Sequence, residues 1–71
     1  MANMKEVNKA IKSEFKGLDI VAVKGDGYIY YDGKDGFDEI DSLYTNPFTS
    51  KTDVVVKLVI QDIKNYLENK E

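Results

Sequence analysis

The residues best suited to chemistry in this 71-residue chain are five acids that lie between positions 32 and 41. The segment reads DGKDGFDEID, and its acids are Asp32, Asp35, Asp38, Glu39 and Asp41. Closely spaced carboxylates can bind calcium, but with Gly36 at the sixth position of an EF-hand loop, Tyr31 and Ser42 would occupy the first and twelfth positions. Neither side chain is a carboxylate. We therefore interpret these five acids as a solvated acidic patch without a metal site.

The sequence lacks the side chains that enzymes most often use for catalysis. There is no histidine and no cysteine, so the usual general base, thiol nucleophile and zinc ligands are absent. The remaining carboxylates and hydroxyls are typical of caps and turns, and their spacing does not pair them in a cleft. The sequence predicts a protein that is not an enzyme and that uses no cofactor.

A nucleic-acid motif is matched by the residues 24–31, which read KGDGYIYY. Seven of the eight positions agree with the RNA-recognition signature [KR]-G-[FY]-[GA]-[FY]-[VI]-x-[FY]. Asp26 is the exception, since it places a carboxylate where the signature stacks an aromatic ring on a base. The same residues are equally typical of a β-hairpin that has glycine in its turn and tyrosine in its strands. The formal charge of −3 and the absence of arginine also argue against nucleic acid as a partner.

A β-hairpin within residues 17–33 is the element around which the rest of the chain is predicted to fold. Residues 18–24 are rich in β-branched side chains, and residues 28–31 are rich in aromatic ones. Both types of side chain favour β-strands. A two-residue turn at Gly25-Asp26 would place Val23 opposite Tyr28. Side-chain alternation then gives one face Leu18, Ile20, Ala22, Ile29 and Tyr31, and the other Val21, Val23, Tyr28 and Tyr30. We expect the second face to meet solvent, because the acidic residues Asp19 and Asp32 lie at its ends.

Two helices are predicted to flank the hairpin. The first runs from about residue 3 to 16, with Asn3 and Glu6 as a capping box and Gly17 as its stop. It carries a basic stripe, which consists of Lys5, Lys9, Lys12 and Lys16. The second runs from about residue 51 to 69, because helical periodicity there outweighs the strand propensity of Val54-Val55-Val56.

Between the hairpin and the second helix, residues 42–48 (SLYTNPF) predict a third strand that ends at Pro47. The expected fold is therefore a single α+β domain over residues 1–71, with the order αβββα: a three-stranded antiparallel meander with both helices on one face. The expected core contains Val7, Ile11, Phe15, Ile20, Ala22, Ile29, Tyr31, Leu43, Val56, Ile60, Ile63 and Leu67. The uncovered side would carry an apolar and aromatic surface, the tyrosine face: Val21, Val23, Tyr28, Tyr30 and Tyr44.

The chain resembles a group of short uncharacterised phage and prophage proteins. In that group a G-L pair precedes a strand, then K/R-G-x-G-Y-x-Y-[FW], a variable loop, S-V-Y-V and a helix similar to L-S-L-E-Q-W. The first block is matched here by Gly17, Leu18, Lys24, Gly25, Gly27, Tyr28 and Tyr30, and Tyr31 stands at its last position. The stretch 42–45 (SLYT) approximates the second block, Tyr66 stands near the tryptophan, and Asn46-Pro47 and a longer valine-rich helix depart from the pattern. The resemblance implies the strand order and a phage or prophage origin, but no activity and no functional residues.

The sequence leaves three functional hypotheses. The leading one is a small protein that acts by protein contact through the tyrosine face, in its simplest version as a homodimer. The second is an acidic mimic of nucleic acid, in which the acidic patch occupies a host enzyme's phosphate site. The third is a single-strand binder that uses the tyrosine face and the basic stripe.

The expected location is the cytoplasm, without a membrane partner. No apolar run approaches the length of a membrane span, and the first residues lack the apolar core of a signal peptide. The opening Met1-Ala2-Asn3-Met4 also allows a cloning leader before a native start at Met4.

Overall fold

The computed structural model describes residues 2–34 and 36–69 and shows two helices packed against a two-stranded antiparallel hairpin. The protein is thus a small α+β domain. Its elements, in chain order, are α1 (Met4–Glu14), β1 (Ile20–Lys24), β2 (Ile29–Gly33), a 3₁₀ turn (Phe37–Glu39) and α2 (Thr52–Asn69).

Helix α1 begins where its sequence signal predicts. The Asn3 side-chain oxygen accepts hydrogen bonds from the backbone N–H groups of Lys5 (3.1 Å) and Glu6 (3.4 Å), which otherwise have no partner in the first turn. The helix ends at Glu14, before the predicted residue 16. Val7 and Ile11 form its buried face, so the periodicity correctly located the side of α1 that meets the core.

The hairpin register differs from the prediction by two residues. Val23 pairs with Tyr30 and Ala22 pairs with Tyr31, because the turn is centred one residue later, on Asp26-Gly27. Gly27 holds the positive φ of this turn (85°), whereas Gly25 still donates across the hairpin to the Tyr28 carbonyl at 2.8 Å. A shift of two residues preserves the alternation of side chains, so every strand residue stays on its predicted face.

The predicted third strand does not form, and the three-stranded meander and the αβββα order are wrong. Residues 42–48 contribute a single β-bridge, in which Leu43 and Ile29 exchange N–H to carbonyl hydrogen bonds of 2.9 and 2.8 Å. The chain then turns: the Asn46 side chain accepts from the Phe48 N–H at 2.9 Å, and the Pro47 carbonyl accepts from the Ala2 N–H at 2.7 Å. Asn46 and Pro47 therefore end the pairing before a strand can extend.

The acidic segment after the hairpin is more than a solvated linker. Its 3₁₀ turn is followed by Ile40, and both Phe37 and Ile40 are buried. The Phe37 ring lies edge-on to the Tyr66 ring of α2, with centroids 6.2 Å apart. The segment is thus fixed to the core at two points, with its acids on the outside.

Helix α2 confirms the choice of helix over strand for the valine run, but its orientation was only partly predicted. Val55, Val59 and Ile63 have no exposed surface. Val56, which was expected in the core, is half-buried. The sequence offers apolar side chains on most sides of this helix, so periodicity alone did not select between Val55 and Val56.

Both helices and the inner face of the hairpin share one core. Its fully or nearly buried members are Ala2, Val7, Ile11, Ile20, Ala22, Ile29, Tyr31, Phe37, Ile40, Val55, Val59 and Ile63. Within residues 2–34 and 36–69, neither helix combines the length and the apolar character that crossing a membrane requires.

A candidate interaction surface on the outer face of the hairpin

The two faces of the hairpin differ in their exposure. Inner-face residues such as Ile29 and Tyr31 have exposed fractions of 0% and 3%, because both helices pack on that side. On the outer face Tyr30 is 40% exposed, and Tyr44, which follows the bridge residue Leu43, is 86% exposed. The outer side of the hairpin therefore presents aromatic side chains to solvent.

The structure brings the predicted residues of the tyrosine face together. The Tyr28 ring is central, with its centroid 6.1 Å from that of Tyr30 and 6.4 Å from that of Tyr44, each pair inclined by 40°. The bridge at Leu43 carries Tyr44 alongside β2. Val21 and Val23 are half-buried and point to the same side of β1. The result is a continuous cluster of three rings beside two valines.

Gly25 has a structural role in this cluster that the sequence did not reveal. The Tyr28 ring lies across Gly25 so closely that an added Cβ there would be 2.6 Å from the ring's Cζ atom. A side chain at this position would displace the ring. Gly25 thus allows Tyr28 to pack on the hairpin beside the other rings.

A contact at the end of β1 was not predicted from the sequence. Phe48 is 47% exposed, and the Lys24 ammonium nitrogen lies 4.8 Å from its ring centroid, a cation–π distance. The two residues are 24 positions apart in the sequence, and Phe48 lies in the turn that follows Asn46-Pro47. Their types alone gave no signal of this pairing.

The acidic patch is exposed and spread along its segment. Asp38, Glu39 and Asp41 are exposed on and just after the 3₁₀ turn, while Asp32 accepts a hydrogen bond from the Gly33 N–H at 2.8 Å. Asp35, the fifth predicted member, lies outside the described residues. In the part of the chain that the structure describes, no group of three or more acids is arranged to hold a metal ion.

A buried polar pair lies on the inner side of the hairpin. Burial raises the pKa of the Tyr31 phenol, and the nearby Asp62 carboxylate raises it further by favouring the protonated phenol and repelling the phenolate. The Tyr31 hydroxyl and the Asp62 Oδ2 atom are both buried and lie outside the geometry of a direct hydrogen bond. This pair does not reach the tyrosine face.

The basic stripe of α1 does not share a surface with the tyrosine face. Lys5, Lys9 and Lys12 line a shallow groove with Glu6 and Asn8. Because α1 packs on the inner side of the hairpin, these lysines cannot hold a strand that lies across the rings. The structure therefore separates the two features that the nucleic-acid hypothesis combined.

Comparisons of this chain with family models, with curated proteins and with solved structures find no match. The fold and the surface by themselves define its class: a small α+β domain that exposes an aromatic hairpin face.

Proposed function

We propose that this protein acts by binding another protein through its tyrosine face and that it catalyses no reaction. One observation carries the proposal: three tyrosine rings form a continuous cluster on the side of the hairpin opposite the core. Tyrosine is enriched at protein interfaces, because its ring supplies contact area with little loss of side-chain entropy and its hydroxyl adds a hydrogen bond. The half-buried valines beside the rings extend the apolar contact.

A homodimer is the simplest form of this contact. One copy of a flat, self-complementary patch can meet a second copy across a twofold axis without any other partner. We further propose a phage or prophage origin, which the resemblance of the hairpin block supports. We also propose a cytoplasmic setting, because the sequence has no apolar run of membrane-spanning length.

Sedimentation equilibrium over a concentration series tests the dimer. We expect the wild type to associate and the Tyr28→Ala/Tyr30→Ala variant to remain monomeric. Leu58→Ala is the matched control, because Leu58 lies on α2 with 39% exposure against 40% for Tyr30. A double variant that associates like the wild type would contradict this use of the tyrosine face.

A wild type that stays monomeric would exclude the dimer and leave a different protein as the partner. Affinity capture from a host-cell lysate then tests the proposal, with the wild type, the double tyrosine variant and Leu58→Ala as baits. If the double tyrosine variant still captures the partner, the tyrosine face is not the contact surface, and the acidic patch becomes the next candidate.

The acidic patch supports a second candidate function, mimicry of nucleic acid. Buried Phe37 and Ile40 fix the segment that displays Asp38 and Glu39, so these exposed carboxylates are held on a defined backbone. A host enzyme with a basic site could bind such a surface. The test is an Asp38→Asn/Glu39→Gln/Asp41→Asn variant, which should lose its captured partner while the double tyrosine variant keeps it.

Single-strand binding is the third candidate, since bases stack on aromatic side chains and three tyrosine rings lie together on this face. The charge of −3 and the position of the basic stripe oppose it. Fluorescence anisotropy with oligonucleotides at low and high salt tests it, and an unchanged signal would exclude it.

A further inference from the structure

The two edges of the hairpin are covered by different parts of the chain. Helix α1 lies against the β1 edge, where the Asn8 side chain accepts from the Ala22 N–H at 2.7 Å and donates to the Ala22 carbonyl at 3.0 Å. The segment after the 3₁₀ turn meets the opposite edge, where Leu43 exchanges backbone hydrogen bonds with Ile29 of β2. The side chains of α1 and of this segment therefore lie on opposite sides of the hairpin.

The α1 side is basic. A groove of about 630 Å³ on this helix, the lysine groove, is lined by Lys5, Glu6, Asn8, Lys9 and Lys12. Its three lysines are exposed, and the seven-residue spacing of the first and the last corresponds to a rise of about 10 Å along the helix. Glu6 offsets only one of the three positive charges, so the groove remains positive.

The opposite side is acidic over a similar length. Asp38, Glu39 and Asp41 are exposed, and the buried side chain of Ile40 between them fixes their backbone to the core. One 3₁₀ step and two extended steps separate the first acid from the last, a distance of about 9 Å. Residues 38–41 thus match the lysine groove in number of charges and in length.

Neither set of charges is paired within the molecule. Among the residues that the structure describes, the ion pairs are Lys34 with Asp19 and Lys64 with Glu14, both at 3.8 Å. The lysines of the groove and the acids of residues 38–41 take part in neither pair. Because the hairpin lies between them, one molecule does not bring its own acids to its own groove.

We propose that the lysine groove of one copy binds residues 38–41 of a second copy, head to tail. Opposite charges arranged over matching lengths favour this pairing and fix its direction. The net charge of −3 repels two copies as a whole, but salt screens charges that are more than about 10 Å apart, whereas the paired side chains are in contact.

This contact goes beyond the proposed function, because it uses no ring of the tyrosine face. The groove and the acidic segment are different surfaces, so each pair of copies leaves one groove and one acidic segment free. Such a heterologous contact repeats in one direction and permits further copies to add. A twofold contact through the tyrosine face stops at two copies.

Amide NMR on dilution tests the proposal in the Tyr28→Ala/Tyr30→Ala background, which removes the tyrosine face from the result. Exposed ion pairs are individually weak, so we expect the contact at low salt and at about 1 mM protein, above the micromolar range that suits the sedimentation series. On dilution, the signals of Lys9, Lys12, Asp38 and Asp41 should move together. Salt at about 0.5 M should abolish the change.

Charge reversal provides the sharper test. Lys9→Glu/Lys12→Glu and Asp38→Lys/Asp41→Lys, each in the same background, should weaken self-association about tenfold, because two attractive contacts become repulsive. An equal mixture of the two variants should associate again, since the unaltered acids of the first meet the unaltered groove of the second.

Lys51→Glu/Lys57→Glu is the matched control. It changes the net charge as the groove variant does, at exposed lysines outside the groove, and should weaken self-association by no more than about twofold. Equal weakening by the control, signals that move in only one of the two regions, or a mixture that stays apart would each overturn the proposal. A single-stranded oligonucleotide that shifts the groove signals when dilution does not would assign the groove to nucleic acid instead.

Discussion

Tyr30 and Tyr31 are neighbours in β2, yet they occupy opposite environments. Tyr31 is 3% exposed and lies in the core, whereas Tyr30 is 40% exposed and lies in the tyrosine face. The two residues share a strand, a side-chain type and nearly the same position, so their difference comes from the alternation of the strand and from helices that pack on one side.

The two faces of the hairpin should differ in what their side chains contribute to the protein. Inner-face side chains remove apolar surface from water on folding, and their loss should reduce the free energy of unfolding. Outer-face side chains keep much of their surface exposed, so their loss should chiefly reduce binding. The hairpin therefore has one face that maintains the fold and one whose aromatic rings meet solvent.

The largest effect should come from the inner face. Tyr31→Ala removes a buried aromatic ring and should lower the free energy of unfolding by about 3–5 kcal/mol. A domain of this size has a stability of only about 5 kcal/mol, so this variant should be largely unfolded. Urea denaturation followed by circular dichroism measures the change.

Tyr30→Ala is the control for that measurement, since it should change the free energy of unfolding by only about 1 kcal/mol. Equal losses for the two variants would contradict the division between the faces.

Alkaline pH should affect the same two tyrosines differently. The pKa of Tyr31 is raised by burial in the folded protein, so above about pH 10 the unfolded chain releases this proton while the folded protein keeps it. The folded state then binds more protons, and stability should fall by about 1.4 kcal/mol for each pH unit above that point, with no loss from this group below it. Urea denaturation across pH 10 measures the slope.

Tyr31→Phe should lack this contribution to the slope, and Tyr30→Phe should retain it. If the free energy of unfolding falls equally steeply with pH in both variants, Tyr31 is not the source of the pH dependence.

Gly25→Ala should give the smallest change in stability, below about 1 kcal/mol, because the added Cβ meets the far end of the Tyr28 side chain and not the backbone. It should nevertheless weaken association, since the Tyr28 ring must leave its place between Tyr30 and Tyr44. Sedimentation and the ring proton signals of Tyr28 report both effects. Unchanged ring signals would show that Tyr28 does not pack across the glycine in solution.

The sequence predicted the two faces correctly although it placed the turn wrongly. A two-residue error in register keeps each side chain on its face, whereas an error of one residue would have exchanged inner and outer positions. The positions of Tyr28 and Tyr30 on the outer face therefore followed from alternation alone. The meander failed because local turn bonds at Asn46 compete with strand pairing, and strand propensity does not weigh that competition.

Contacts between distant residues were beyond sequence reasoning. Asp62 acts on Tyr31 across 31 positions, and Asn8 reaches Ala22 from a helix. In α2, the adjacent residues Val55 and Val56 have the same side chain, and only the packing of the helix decides which is buried. Such pairings depend on how elements dock, for which a single sequence carries no periodic signal.

Site-specific photocrosslinking tests the central claim most directly. A photoreactive phenylalanine derivative at position 30, in cells that carry the gene, should form a covalent adduct with a protein, either a second copy or another chain. The same derivative at position 58, which is equally exposed on α2, should form none. Adducts at position 58 alone, or at neither position, would contradict the assignment of the tyrosine face as the contact surface.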